Sequence, residues 1–599
     1  MNRESRFQRA KLRAALSLSG VGLALASAVA AEAQGVAPPT RGELTGPQRE
    51  IDQRRNATVT VDGQMERRPC ALDNPEYAAL TFTLADVTYT GIERAGDVSL
   101  LPAHQSYLGH TLPLSALCDI RDRAAAILQD AGYLAAVEIP PQSLANGRAE
   151  MRVVLGRLVA VRARGDTRGN EGLLTGYLQK LVGRETFNVD EAERYLLLAN
   201  DIPGMNIRLS LRPAPGGAPG DLIGEVAVIR ERFAVDVNVQ NYGFDAIGPW
   251  GALARAEAYG LTGMGDRTSI SYFNTLDFDE QHTLQLAHDM RLGSEGLVLG
   301  GNVTFAWTRP EALEGFDIRS ETLFASLEAS YPFLRTQAYS IWGAAGLDYI
   351  DQDVSVNGVD LTRDRVRTAF VRGTFERTDL ASIRRELGYS PYEPQSRLTG
   401  TVELRKGLDI LGGAEDCRDD FSACLTAPAV PPARIEQNPT PFFVRAELSG
   451  EYRPVPLIAL AFDLEGQVSD TPLPGFEEFS AGNYSTGRGY DPGAILGDSG
   501  VGLGAELRYG SIVPKGRDKF AFQPYIFTDY AHAWNEDAGA AYSSDELWSA
   551  GGGVRFVRGV NIQGDVTLAV PLNTTHSQIE RGDVRLLISI TSRLFPWRS

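Results

Sequence analysis

From residue 232 onward, hydrophobic and polar positions alternate with a period of two. Phe233, Val235, Val237 and Val239 alternate with Ala234, Asp236, Asn238 and Gln240. Phe442, Val444, Ala446, Leu448, Gly450 and Tyr452 alternate with Phe443, Arg445, Glu447, Ser449, Glu451 and Arg453. Such alternation predicts strands with one apolar and one polar face. Sixteen runs of this kind begin near residues 232, 251, 267, 282, 297, 321, 338, 366, 397, 441, 457, 501, 520, 547, 561 and 584. A soluble sandwich buries the apolar face, whereas a membrane barrel turns it to lipid and keeps the charged face in its lumen. Loop spacing favours the barrel. Connections after odd-numbered runs are mostly long and those after even-numbered runs mostly short, as at Arg453–Pro456 and Gly559-Val560. Long loops on one side only are the pattern of a bacterial outer-membrane barrel. The stretch Glu376–Gln395, after the eighth run, breaks the rule. The last run carries Leu586, Ile588 and Ile590 and ends with Phe595 and Trp597 nearby.

Before residue 231 the pattern is mixed. A strand-like run through Phe82, Leu84, Val87 and Tyr89 ends at Gly91. Ile120, Ala124, Ile127 and Leu128 are spaced for one face of a helix over Asp119–Gly132, and two short strands follow, Val137–Ile139 and Ala149–Leu155. A second unit predicts a strand over Leu158–Arg164, helices over Glu171–Leu181 and Val189–Leu198, and strands over Ile207–Leu211 and Leu222–Ile229. The spacing therefore divides this region into two small α/β modules, 76–157 and 158–230, ahead of a barrel over 231–599.

The first 33 residues read as an export signal: Arg3, Arg6, Arg9, Lys11 and Arg13, then small apolar residues, then Ala31-Glu32-Ala33. Residues 34–75 form a polar linker, either disordered or carrying a short helix over Pro47–Arg55 with Pro at its first turn, a candidate plug for a barrel. Beyond the leader no run of about 18 apolar residues offers a spanning helix. Gly numbers 62 of 599 residues, as suits a chain of strands and turns. The net charge of −18 excludes a general nucleic-acid binder, which needs a basic footprint.

Export makes disulfides accessible to the four cysteines. Cys417 and Cys424 sit close together in a Gly/Asp/Pro-rich stretch and form a candidate loop-closing bridge; Cys70 and Cys118 are the second candidate pair. The spacings do not suit zinc, and no metal or cofactor is expected. His104, His110, His282, His288, His532 and His576 are isolated, and Asp277, Asp279 and Glu280 read as a solvated acidic turn. There is no H-E-x-x-H, G-x-S-x-G or P-loop, so no enzyme is expected.

One connection stands apart. Between the eleventh and twelfth runs, about 469–500, lies a long Gly/Pro/Asp/Ser-rich loop centred on Gly487-Arg488-Gly489-Tyr490. A loop of that length between strands is usually either functional or disordered.

At this point the residues resemble a family. Tyr107 and Gly109, Gly132-Tyr133, Pro140 and Gln142, and Pro203-Gly204 are similar in order and spacing to the two POTRA domains of two-partner secretion transporters, the haemolysin and adhesin pores of the Omp85 superfamily. The resemblance implies two periplasmic α/β POTRA domains followed by a 16-stranded antiparallel transmembrane β-barrel. It implies that the sixth external loop folds into the lumen with Arg488-Gly489-Tyr490 at its tip. It pairs Arg488 with Asp529 of Phe527-Thr528-Asp529 on the thirteenth strand. The family commonly has Val before that arginine; here it is Gly487. Charges such as Glu403, Arg405, Arg445, Glu447, Glu506 and Arg508 fall on inward faces and are expected to line a hydrated wall. The implied function is transport of one large secreted exoprotein, of β-helical adhesin or haemolysin type, from the periplasm to the cell surface. The other implied partners are outer-membrane lipid and the machinery that inserts the barrel. The alternative is an assembly factor for other outer-membrane proteins, which shares the loop and wall motifs.

Overall fold

The computed structural model describes residues 40–44, 61–62, 69–77, 79–167, 169–244, 247–310, 316–384, 388–418, 421–426, 428–536, 543–577 and 582–596. The predicted leader, the helix over Pro47–Arg55 and the aromatic Trp597 lie outside these residues.

In the first module, β3 (Asp86–Thr90) runs parallel to β6 (Arg148–Leu155), which pairs antiparallel with β5 (Ala135–Glu138). β2 (Thr81–Thr83) pairs with β4 (Thr111–Pro113). The single run expected over Phe82–Tyr89 is thus two strands. The chain changes partner between them: Leu84 N–H donates to His110 O, and Ala85 N–H to Gly147 O. The helix Ala116–Asp130 buries Leu117, Ile120, Ala124 and Leu128 against Val87, Met151 and Val153. Cys70 is disulfide-bonded to Cys118.

In the second module, β7 (Arg157–Gly165) is parallel to β9 (Asp221–Arg230), and β8 (Met205–Pro213) is antiparallel to β9. Two helices, Glu171–Gln179 and Val189–Asn200, cover this sheet with Leu174, Tyr177, Leu196 and Leu197. Asn188 caps the second helix, its Oδ1 accepting from the N–H groups of Asp190 and Glu191. A strand unforeseen in the sequence completes the sheet: linker residues β1 (Val61–Asp62) lie parallel on the outer edge of β8.

Among the described residues, sixteen antiparallel strands then close into a barrel. They are β10 (Phe233–Gln240), β11 (Gly251–Tyr259), β12 (Arg267–Thr275), β13 (Gln281–Leu292), β14 (Leu297–Thr308), β15 (Ile318–Arg335), β16 (Tyr339–Val356) and β17 (Val359–Thr378). The second half is β18 (Ser396–Gly407), β19 (Phe442–Val455), β20 (Ile458–Ser469), β23 (Ser499–Tyr509), β24 (Phe520–Trp534), β25 (Ser544–Arg558), β26 (Ile562–Pro571) and β27 (Arg585–Phe595). β27 closes on β10 from Gln240↔Ser589 to Val235↔Phe595.

The faces are inverted relative to a soluble protein. Leu327, Val371, Ile526 and Leu568 are exposed on the outside, while Asp236, Asn238 and Gln240 are buried within. This is the arrangement lipid imposes, because a closed barrel leaves no backbone group unpaired in hydrocarbon.

One boundary differs clearly from the periodicity. The eighth strand begins at Val359 rather than near 366, because β16 and β17 continue beyond the expected loop into a long hairpin. Its turn is Asn357-Gly358, with φ of 52° and 77°, a pairing that suits a two-residue hairpin. The connection after β17 holds a short helix, Leu380–Arg384, and the carboxylate Glu393. Glu393 accepts from Arg453, Ser511 and Ile512 N–H, so this long turn is strapped to two neighbouring turns.

The second module is fastened to the barrel. Asp201 receives Nε and Nη2 of Arg335 at 2.8 Å each. Gly204 has φ of 71°, and a Cβ there would meet the Tyr259 ring at 2.6 Å.

Candidate functional site

The connection between β20 and β23 turns inward. A 3₁₀ turn at Gly475–Glu477 leads into β21 (Phe479–Ala481), which pairs with β22 (Ile495–Gly497) as a small hairpin. Between these two strands is the tip. Gly487 and Gly489 have φ of 128° and 92°, backbone that favours glycine. A Cβ on Gly487 would lie 2.8 Å from Leu547 Cδ1 and would push that side chain aside, in a backbone conformation that L side chains rarely adopt, so valine there would be strained.

This path brings Arg488 against β24. Nε and Nη2 donate to the two oxygens of Asp529 at 2.9 and 2.7 Å, and the Arg488 backbone N–H adds a third bond at 3.0 Å. The guanidinium carbon stands 3.7 Å from the Phe527 ring centroid. Nη1 reaches Glu506 at 2.5 Å. Glu506 is shared with Arg508 and Arg555, and Arg555 continues to Asp565, so charges of both signs alternate around the wall. Burial opposes charge on Arg488, but its bonds to Asp529 and Glu506 outweigh this and hold it charged. Tyr490 is fully buried, its hydroxyl within hydrogen-bond reach of Trp548 O and Asn573 O. Gly489 N–H donates to Asn483 Oδ1. The residues singled out in the loop and on the wall therefore meet in one place.

Below the tip lies a cavity of about 800 Å³, lined by Arg488, Asp529, Glu506, Glu447, Arg453 and Asp463 among others. Its walls carry both charge signs, which suits a hydrated path for a polar chain rather than a pocket for a small apolar ligand.

A family model described as "Haemolysin secretion/activation protein ShlB/FhaC/HecB" matches residues 226–556, more than half of the 599 residues. The chain belongs to this family. It is a haemolysin secretion/activation-type outer-membrane protein, with its barrel in the outer membrane and its POTRA modules in the periplasm. Among curated relatives it is 22% identical over 277 residues to a heme/hemopexin transporter protein of Haemophilus influenzae, covering 44% of this chain and 47% of that one. The match thus spans about half the length of that relative. Two solved structures share the fold. CdiB from Escherichia coli has a TM-score of 0.65 at 16% identity, covering 92% of this chain and 96% of its own. CdiB from Acinetobacter baumannii has a TM-score of 0.57 at 15% identity, covering 91% and 96%.

The other residues tied to the family through resemblance sit at joints. Gly132 (φ 80°) follows the helix Ala116–Asp130, and its carbonyl accepts from Val189 N–H of the second module. Tyr133 bridges to Asn188. Tyr107 lies under the Arg123 guanidinium at 5.0 Å, and Gly109 (φ 78°) turns the chain into β4. Gln142, just after Pro140, pairs with the backbone of Glu150 through both its amide oxygen and nitrogen, as a strand residue would. Pro203-Gly204 forms the contact with Tyr259 described above. Cys417 and Cys424 are disulfide-bonded in the loop after β18.

The sequence reading missed the other attachments of this family member's sixth loop. Arg434, from the loop after β18, binds Glu478 and Asp498 at 2.6 Å each. Glu477 is enclosed by Arg405, Arg445 and Arg41. Burial alone would neutralise Glu477, but Arg405, Arg445 and Arg41 hold its carboxyl at about 2. Arg405, expected on a hydrated wall, is instead fully buried, because the loop covers it. The signal was Phe476-Glu477-Glu478-Phe479: two carboxylates between aromatics mark a segment that enters protein rather than water.

Proposed function

We propose that this chain is an outer-membrane transporter that passes one large, unfolded exported protein from the periplasm to the cell surface. The observation that carries the reading is the sixth loop folded into the lumen and fastened by Arg488 to Asp529, directly over a charge-lined cavity. Such a loop is a closed gate over a polar channel. The Arg488–Asp529 pair holds the gate, and Tyr490 and Phe527 fix its tip.

The POTRA modules would take the partner while it is extended. Strand addition to a sheet edge suits this task, since backbone bonds accept varied sequences. The edge of β8 already accepts a parallel strand from this chain, Val61–Asp62, so it can take an added strand of this kind. Folding of the partner outside would make passage one-way. A β-helical adhesin or haemolysin is the cargo class that family membership suggests.

Deleting the gene is the test. One exoprotein retained in the periplasm, with other barrels intact, is the expected result. Loss of many outer-membrane barrels together would instead establish the assembly-factor alternative.

A further inference from the structure

The descending limb of the sixth loop makes a second attachment, away from Arg488. Glu477 is fully buried, with a carboxylate oxygen 2.7 Å from Arg405 Nη2 and another 2.9 Å from Arg445 Nη2. Thr368 Oγ1 donates to it at 3.1 Å. Its backbone oxygen accepts from Arg445 and Gln467, each at 2.9 Å. These partners come from β17, β18, β19 and β20, whereas Arg488 is held by β23 and β24. The loop is therefore strapped between two parts of the wall.

The N-terminal segment joins the same point. Arg41, in the helical turn 41–44, places Nη1 3.5 Å from Glu477 and Nη2 3.3 Å from Asp348 on β16. Asp348 is itself bound by Arg405 at 2.7 Å. Leu44 packs in one buried cluster with Phe476 of the loop and Phe324 of β15, and the two phenyl rings lie 5.8 Å apart. Thr40 approaches Gly493, on the ascending side of the same loop. Wall, loop and N-terminal segment thus share one buried charge cluster and one apolar contact.

We infer that Glu477 is a second anchor of the sixth loop, and that Arg41 couples residence of the N-terminal segment in the lumen to closure of that loop. The inference rests on the gated-pore reading above. Its physical basis is the cost of a buried carboxylate that loses a compensating cation. When residues 40–44 leave, Glu477 and Asp348 lose Arg41, and Phe476 loses its cover. Water then enters the cluster, and the attachment that remains on this side weakens. Departure of the N-terminal segment would loosen the loop before Arg488 releases Asp529.

The test uses the full chain in planar bilayers, with no exoprotein present. Open-state occupancy reports the loop, and the labelling rate of Thr40→Cys by a membrane-impermeant thiol reagent reports the N-terminal segment. Glu477→Gln is expected to raise both by at least about tenfold. Arg41→Ala should raise open occupancy in the same direction, Arg41→Lys should restore it, and the double variant should fall short of the product of the singles. Arg41 lies outside the barrel strands, so its variants test the coupling even where Glu477→Gln fails to fold. Multiplicative effects in the double variant, or unchanged Thr40→Cys labelling in Glu477→Gln, would overturn the coupling while leaving the transport reading intact. Coupling observed in bilayers, with no exoprotein retained in the gene deletion, would remove the transport reading alone.

Discussion

The guanidinium of Arg488 stacks 3.7 Å from the Phe527 ring centroid and meets both carboxylate oxygens of Asp529, while its own backbone N–H binds the same carboxylate. A three-bond contact of this kind fixes both the side chain and the turn that bears it. Lysine cannot reproduce the fork, so Arg488→Lys should behave as a loss of function.

Either Arg488→Asp or Asp529→Arg should open the gate and lower secretion. Each leaves a buried charge without its partner, a loss of about 3 kcal/mol in loop docking. The exchanged pair, Arg488→Asp with Asp529→Arg, should recover only part of this. Glu506 lies 2.5 Å from the native Arg488 and would repel the new aspartate. Secretion and bilayer conductance of the two singles and the double give the measurement. Full recovery would mean that Glu506 does not contribute.

The barrel was legible because its chemistry is repetitive: each strand alternates, and the outward residues of β19 (Phe442, Tyr452) are as plainly apolar as its inward Arg445 and Glu451 are charged. Arg488 and Asp529 could be named only through resemblance, since nothing local pairs a loop arginine with a carboxylate on a strand 41 residues away. Glu477, Arg434 and Arg41 escaped because each takes its role from a partner distant in sequence. Arg41 and Glu477 are 436 residues apart. The hairpin of β16 and β17 was missed for another reason. Outside the membrane its strands no longer need an apolar face, and Asp351, Asp353, Arg363 and Arg365 hide the period.

The β1–β8 pairing predicts competition at the second module. Val61 and Asp62 occupy the edge of β8 opposite Leu209 and Ser210. A proline in this segment removes a donor and disfavours the ladder. Val61→Pro should therefore free the edge and tighten binding of an extended exoprotein segment, measured by fluorescence anisotropy with the whole chain. Equal affinity in both proteins would show that the captured strand goes to another edge.

The Cys70–Cys118 bridge closes a separation of 48 residues over the first module. Loop entropy alone assigns it about 4 kcal/mol. Cys118→Ala should lower the thermal stability of that module and speed hydrogen exchange over the helix Ala116–Asp130, with the barrel unaffected. An unchanged exchange pattern would mean that the buried Leu117, Ile120 and Leu128 suffice to hold the helix.

The base of the sixth loop should respond to pH near neutrality. Glu478 faces Arg434, Asp498, Glu436 and Asp364, an excess of carboxylates over cations. Burial pushes its carboxyl up from 4.5 to about 7, with Arg434 opposing and the neighbouring carboxylates adding. The docked loop therefore binds this proton more tightly than a released loop does. Docking gains stability as pH falls from about 7 towards 4.5 and loses it as pH rises through 7. Glu477 behaves oppositely: held at about 2, it contributes above 4.5 and fails only in stronger acid. Closure should thus be firmest near pH 4.5 and weaken on both sides, towards 2 as Glu477 is protonated and towards 7 as Glu478 loses its proton. Single-channel recordings should show open occupancy rising from pH 6 to pH 8, by no more than about tenfold for this one proton. Glu478→Gln, which keeps the shape and removes the proton, should flatten that rise. A rise that survives the substitution would assign the effect to another group, and Glu43, also pushed up to about 7 by burial in the N-terminal segment, is the next to replace.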